Sequence, residues 1–446
     1  MNEVKQSDIQ TVLDGLKSCV LQLEKEKIFS LKNFLDVMEE KFKQAGYREP
    51  IKAGDKINIS VIHDAGIGDF ILQSGAIREL RRIYPAAHIT LVCTVPAKIM
   101  AEFCPYVDEI IINEQKYDSL KFLTGLKWNL TFAEKLLARR YDLSFAFAHN
   151  PITTALMYMS GAKQRISHLF DVGEETFVCH CDLPIRYGMQ FAQYLYPMYN
   201  YGDHAVDTCF SVLEQGLHAP ISNREIEVWL NGMDITFAKN ILQPARRPIY
   251  ALVFGGSRMI KHYPPEKYAK FLEMVASEEP TATFAVLGGG ASDANSVKVL
   301  KENLDEKFCA EHLIDLVDKT NYRQTAAVLS LCQAYIGNDT GALHAAAAVK
   351  LPCLAVFPFP ADSPPSSRVD TPRLFRPYRV PNVIVIPAHA LEGCARPKND
   401  PYCPFGCRVL DKPHCIAQIT PETLFSAFKL LKKNISEENI QTAYVY

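Results

Sequence analysis

Ile336-Gly-Asn-Asp-Thr-Gly-Ala-Leu-His-Ala345 joins a strand to a helix through a tight turn. The apolar run ends at Gly337, and a helix starts at about Gly341. Asp339 or Thr340 is the expected N-cap, accepting from a first-turn amide that no helical carbonyl reaches. The remaining amides point outward with the positive end of the helix dipole, which suits phosphate oxygens. Gly341 has no Cβ, so an oxygen can approach its backbone closely. His344 lies one turn along, beside the same mouth. A capped helix without a ligand shares these features, so the neighbouring segments decide the reading.

The same alternation surrounds this unit. Strands are expected over 248–254, 282–287, 313–317, 334–337 and 352–357, with helices over 265–278, 293–304, 322–331 and 341–349. Strands alternating with helices imply right-handed βαβ units and a parallel sheet, whose ligands lie beyond the carboxyl ends of the strands. Two more loops sit at that edge. In Phe254-Gly-Gly-Ser-Arg-Met-Ile-Lys-His-Tyr-Pro-Pro265, Gly255 and Gly256 make a tight loop, Ser257 supplies a hydroxyl and Lys261 a cation. A cation beside a diphosphate stabilises the charge that develops as a sugar–phosphate bond breaks. Taken alone, Lys261 is an ordinary surface lysine. In Gly288-Gly-Gly-Ala-Ser-Asp293, the aspartate either binds ribose hydroxyls or caps the helix that follows.

The earlier half follows a similar plan. Strands are expected over 57–62, 88–93, 108–112 and 142–147, with a helix over 69–84 that Pro85 ends and a closing helical stretch over 188–216. Between the first strand and helix lies Gly66-Ile-Gly-Asp69, which lacks the third glycine and the distant acid of a dinucleotide fingerprint. Asp69 faces the cleft, where a carboxylate either takes a proton from an attacking hydroxyl or caps its helix. Gln243-Pro-Ala-Arg-Arg-Pro248 separates the halves, and the cleft between them is the natural ligand site. The expected division is a helical extension (1–50), a front Rossmann-like unit (55–243), a rear one (244–420), and a last helix with a frayed tail (421–446). In the extension, Ile9, Val12, Leu13, Leu16 and Val20, then Leu31, Phe34, Leu35, Met38 and Phe42, keep helical spacing. This predicts a helical hairpin packed on the next unit, with dimerisation or membrane-surface contact as the alternatives.

Composition narrows the classes. The 446 residues are 48% hydrophobic and 22% charged, enough apolar material for two cores. Lys and Arg number 48 against 50 Asp and Glu, without the basic excess of a general nucleic-acid binder. No apolar run is long enough to span a bilayer, and the first residues lack a signal-peptide pattern. With 13 cysteines, that argues for a reducing, cytoplasmic compartment.

Taken in order, these segments resemble glycosyltransferase family 9, the lipopolysaccharide heptosyltransferases. The resemblance runs from about Ile57 to the final helix. In the front half it rests on Gly68-Asp69, Ile77-Arg-Glu-Leu-Arg-Arg-Ile-Tyr-Pro85, His88-Ile-Thr-Leu-Val-Cys93, Tyr141-Asp-Leu-Ser144 and Ser160-Gly-Ala-Lys163. In the rear half it rests on Lys261-His-Tyr-Pro-Pro-Glu266, Leu287-Gly-Gly289 and Gly337-Asn-Asp-Thr-Gly-Ala-Leu-His344, the last being the most specific. It implies an α/β fold of GT-B type: two Rossmann-like parallel-sheet domains facing a cleft, the rear one for a nucleotide sugar and the front one for the acceptor. It further implies inversion at the anomeric carbon, ADP-heptose as donor, and a glycan or glycolipid acceptor of the lipopolysaccharide type. Catalysis would need no cofactor, and the enzyme would work at the cytoplasmic face of the membrane as a peripheral protein. The family's base carries onto Asp69 and its phosphate-binding lysine onto Lys261. Its hydroxyl residue carries onto Ser257, next to Gly256. Its Asp-Thr-Gly and histidine carry onto Asp339, Thr340, Gly341 and His344. Its ribose-binding acid carries onto Asp293 in loose register.

Several positions depart from the family pattern. Ala65-Gly-Ile-Gly68 stands where many members have Ser and Leu, Tyr263 where tryptophan is usual, and Phe254-Gly-Gly where Pro-Gly-Ala is commoner. The first fifty residues are extra. A transferase that glycosylates a protein or other acceptor with another nucleotide sugar is a competing reading, as is a non-catalytic scaffold of the same fold. Intact Asp69, Lys261 and Asp339 argue against the scaffold.

Arg78, Arg81 and Arg82 cluster on the helix after Asp69. With Gly68 they are expected either to meet acidic groups of an acceptor or, for the arginines, to form a solvated helix face. His63, His149 and Arg376 are further candidates for the cleft wall. Cys394, Cys403, Cys407 and Cys415 follow C-x8-C-x3-C-x7-C in a proline-rich loop. A structural zinc or iron site, free thiols and a disulfide are its three readings.

Overall fold

The structure is a computed structural model describing residues 5–26, 31–49, 56–114, 116–117, 126–127, 129–147, 151–169, 194–197, 204–256, 259–361, 372–390 and 415–446. Two helices open the chain, α1 (Gln6–Glu26) and α2 (Leu31–Gln44). The front lobe follows as β1 (Asn58–Ile62), α3 (Ile67–Leu72), α4 (Ser74–Ile83), β2 (His88–Cys93), α5 (Val95–Ala101) and β3 (Glu109–Ile112). It continues through a hairpin of β4 (Lys116–Tyr117) and β5 (Leu126–Lys127), then α6 (Leu130–Leu137), β6 (Leu143–Phe145), α7 (Pro151–Met159), β7 (Gln164–Leu169) and β8 (Tyr194–Pro197). Two helices lead onward, α8 (Ala205–Leu217) and α9 (Gly232–Ile241). The rear lobe begins with β9 (Ile249–Val253), α10 (Pro265–Glu278), β10 (Thr283–Leu287), α11 (Ala291–Glu302), α12 (Glu306–His312) and β11 (Leu313–Asp315). It ends with α13 (Tyr322–Leu329), β12 (Ala334–Asn338), α14 (Gly341–Ala348), β13 (Cys353–Val356), α15 (Pro372–Phe375), β14 (Asn382–Val385), α16 (Pro421–Ser436) and β15 (Ala443–Val445).

Both large sheets are parallel. The front sheet has six strands in the order β3-β2-β1-β6-β7-β8, and the rear sheet seven in the order β11-β10-β9-β12-β13-β14-β15. In each, the strand order reverses once near the middle, between β1 and β6 and between β9 and β12. Such switch points leave a crevice at the carboxyl ends of the strands. The loops after β1, β9, β10 and β12 carry the four motifs singled out above.

Sheets covered on both faces need strands that are apolar throughout, and β9, β10, β12 and β13 are buried at every residue. Alternate side chains go to opposite faces. Ile249, Ala251 and Val253 join a core that also holds Ile59, Val61, Phe70 and Leu343, so one apolar cluster runs through both lobes. Tyr250 and Leu252 pack on the other face with Phe271, Leu424 and Phe428 of α10 and α16. The extension packs as expected: Ile9, Val12, Leu16, Met38 and Phe42 cluster with Ala133, Leu137, Tyr158 and Met159 of the front lobe. Arg140 ties it down, bonding the Ala45 carbonyl and the Asp8 carboxylate at 2.7 Å each. Among the described residues, no helix is long and apolar enough to cross a membrane.

Four details differ from the sequence-based expectation. The helix expected over 69–84 is two helices, broken where Gln73, Ser74 and Gly75 weaken it and where the Gln73 amide turns to His63 Nδ1 at 2.6 Å. Of 188–216, Tyr194–Pro197 forms a strand paired with β7, and the helix begins only at Ala205. No helix is expected at 232–241 or 306–312, yet Asn231 and Asp305 cap one at each place. The tail is not frayed: Ala443, Tyr444 and Val445 pair with Val383, Ile384 and Val385, and α16 packs on the same sheet.

Candidate active site

A cavity of about 970 Å³ lies between the lobes. The loop after β1 supplies Gly66, Gly68 and Asp69, the loop after β9 supplies Gly255, Gly256 and Lys261, and the loop after β12 supplies Asp339, Thr340, Gly341 and His344. Gly289 and Asp293 line it after β10. Thus Gly68, Asp69, Gly256, Lys261, Asp293, Asp339, Thr340, Gly341 and His344, scattered over nearly 280 positions of sequence, share one wall system. Ser257 and His149 lie outside the described residues.

The rear wall is built around a buried ion pair. Lys261 Nζ donates to Asp339 Oδ2 at 2.5 Å, with the two side chains 11% and 4% exposed. Thr340 caps α14, its hydroxyl accepting from the Ala342 amide at 3.2 Å. Lys261 is thereby held beside the electropositive start of that helix. Asn338, which sequence reasoning passed over, clamps the two loops together. It is fully buried, donates to the Phe254 carbonyl and accepts from Tyr268 Oη at 3.1 Å. His262 steadies the glycine loop by donating from Nε2 to the Gly256 carbonyl at 2.9 Å.

Asp293 is not an N-cap. Gly290 holds that place, and Asp293 reaches back from the first turn of α11 to accept from the Gly289 amide at 2.8 Å. Burial pushes its carboxyl pKa up against that bond. His344 is buried, and its Nδ1 has no hydrogen-bond partner among the described residues. Burial drives its pKa down to about 4, so the imidazole is neutral at neutral pH. Asp69 occupies the third position of α3, with Oδ2 accepting from the Gly66 amide at 3.2 Å in a capping box. Beneath this loop His63 is fully buried against Phe70, with its pKa lowered to about 4 by burial.

Residues 181–372 match the family model described as glycosyltransferase family 9 (heptosyltransferase). Lipooligosaccharide heptosyltransferase 2 of Haemophilus influenzae is 24% identical over 318 residues, covering 68% of this chain and 83% of the relative. Lipopolysaccharide heptosyltransferase 2 of Escherichia coli is 22% identical over 339 residues, covering 74% and 88%. Over residues 181–372 the chain is similar to glycosyltransferase family 9. The solved structure of a family 9 glycosyltransferase from Veillonella parvula superposes with a TM-score of 0.61 at 18% identity, covering 84% of this chain and 97% of that one. The E. coli ADP-heptose heptosyltransferase II gives 0.60 at 17%, covering 86% and 100%. The transferase therefore has the GT-B fold.

Some candidates sit elsewhere in the structure. Arg78 and Arg81 do not line the cavity. Arg78 donates to the Asn223 and Glu225 carbonyls at 2.8 and 3.0 Å. Arg81 bonds the Tyr106 and Ala87 carbonyls and pairs with Asp108 at 2.5 Å. Their positions on an amphipathic helix gave no hint that carbonyls of neighbouring loops claim them. Arg82 likewise pairs with Glu79 at 2.7 Å. Arg376 meets the front lobe through its carbonyl, which accepts from His204 Nε2 at 2.7 Å. Of the cysteine cluster, Cys394, Cys403 and Cys407 lie outside the described residues, and Cys415 is half-buried before the turn at Ile416–Gln418. Among the described residues, no group of three or more His, Cys, Asp and Glu side chains is placed to hold a metal. Thr94 and Tyr322 also line the cavity. Both follow strands at the carboxyl edge, the signal that finds them.

Proposed function

We propose that this transferase moves a heptose from ADP-heptose to a lipopolysaccharide-type or related glycan acceptor, inverting the anomeric carbon. The observation that carries the reading is one cavity bearing Asp69 from the front lobe and Lys261, Thr340 and Gly341 from the rear. The names of the relatives above support heptose as the sugar. The acceptor hydroxyl attacks the anomeric carbon from the face opposite the diphosphate. A carbon–oxygen bond forms, the bond to the diphosphate breaks, and the hydroxyl proton passes to the Asp69 carboxylate. Lys261 and the amides at the start of α14 meet the charge that develops on the departing nucleoside diphosphate. Asp339 holds Lys261 in place beforehand, and Asp293 accepts from ribose hydroxyls. A glycolipid acceptor would bring the enzyme to a membrane face as a peripheral protein.

Thermal shifts with a panel of nucleotide sugars test the donor. ADP-heptose should stabilise the protein most. A preference for UDP sugars redirects the donor, and no stabilisation by any sugar nucleotide sinks the reading. Asp69→Ala should keep nucleotide affinity and lose turnover by a factor on the order of one hundred or more. Near-normal transfer by that variant removes Asp69 from the mechanism.

A further inference from the structure

At the centre of the cleft the two lobes touch backbone to backbone. A methyl group on Gly68 would lie 2.8 Å from His344 Cδ2 and 3.3 Å from Gly341 Cα. A methyl group on Gly341 would lie 2.4 Å from Ile67 Cγ2 and 3.2 Å from the Gly68 nitrogen. Both approaches are closer than carbon atoms tolerate. Neither glycine has a positive φ, so space and not backbone conformation requires it. His344 cannot retreat easily, being 5% exposed on a packed helix with the Phe375 ring 6.3 Å away. The flanks of the contact are pinned as well. Arg323 of α13 pairs with Asp234 at 2.7 Å and with Glu102 of the front lobe. On another side Lys350 and Arg379 pair with Glu225.

We infer that Gly68 and Gly341 form a spacer pair that sets how closely Asp69 approaches the diphosphate site, which makes both glycines positioning residues for the transfer. The inference rests on the function proposed above. Asp69 follows Gly68 directly, and Gly341 begins the helix whose amides meet the diphosphate. Any widening at this contact therefore adds to the gap between proton acceptor and leaving group. A side chain at either position widens it by a large part of an ångström. Misplacement by about 1 Å is enough to slow an enzymatic step by on the order of a hundredfold.

Gly68→Ala tests this by separating donor binding from turnover. Donor affinity should stay within about threefold of wild type, while kcat falls by on the order of ten- to a hundredfold. Amide exchange at 341–345 should speed up several-fold as the contact loosens. The Gly68→Ala penalty on kcat should shrink by about tenfold in a His344→Ala background, where the obstructing ring is gone. Gly232→Ala is the control and should leave activity unchanged, because nothing lies within 4 Å of its added methyl. Wild-type turnover in Gly68→Ala overturns the inference, and so does a donor-affinity loss as large as the loss in kcat. Unchanged exchange at 341–345 also overturns it, even if the wild-type protein transfers no sugar, an outcome that would separately remove the transferase reading.

Discussion

Lys261 and Asp339 are each other's main electrostatic partner in a nearly dry wall of the cavity. Removing one strands the other. Lys261→Met should lower stability by about 3–5 kcal/mol, and adding Asp339→Asn should restore much of it, because the uncompensated charge is then gone. Urea unfolding of the wild type and the two variants checks this, and equal stability of the single and double variants contradicts it. Both variants should bind nucleotide sugar poorly, since the ammonium is lost in each. At this scale the sequence was legible where residue type and position after a strand agreed, as for Lys261, Asp339 and Thr340. It misled where a long side chain has several reachable partners. Arg78 and Arg81 have the charge for an acidic ligand, but carbonyls of loops distant in sequence took them first.

Among the elements, β15 has the simplest consequence. It covers the open ladder of β14, and Ile386 donates to the Val445 carbonyl at 3.1 Å. Removing residues 440–446 should cost about 1–3 kcal/mol in lost ladder bonds and burial. It should also expose a strand edge that invites association. Urea midpoints and light scattering measure the two effects; an unchanged midpoint would mean that β15 contributes nothing. Three residues carry no readable period, which is why this strand looked like a frayed tail. In β12 and α14 the period changes abruptly at a capping threonine, and the boundary was plain. The break between α3 and α4 was hidden because its cause is the buried bond from Gln73 to His63, a partner ten residues away.

At the scale of the whole molecule, three of the four buried histidines among the described residues weigh on the response to acid. Burial holds His63 and His344 near a pKa of about 4 and His204 near about 3, against an ordinary value of 6.5. The unfolded chain takes up these protons near pH 6.5, whereas the native protein resists them. Stability is therefore complete above about pH 6.5 and falls as the pH drops toward 4, each histidine contributing about 1.4 kcal/mol per pH unit. His204→Gln should remove one proton from that slope in urea titrations at several pH values; an unchanged slope would mean His204 is protonated in the native state. His204 also joins the lobes, accepting from the Val206 amide at 3.1 Å while donating to the Arg376 carbonyl. The two-lobed plan was legible from alternating strands and helices. The clasps between lobes were not, because each joins residues about a hundred or more positions apart.

Helix α1 rides on one lobe, and β15 completes the sheet of the other. A pair of fluorescent dyes, one on each element, would therefore act as a molecular ruler for the cleft. Energy transfer between them would change as the lobes part and would stay constant during motions within either lobe. Thirteen cysteines make thiol labelling indiscriminate, so the dyes call for azide or similar bio-orthogonal handles.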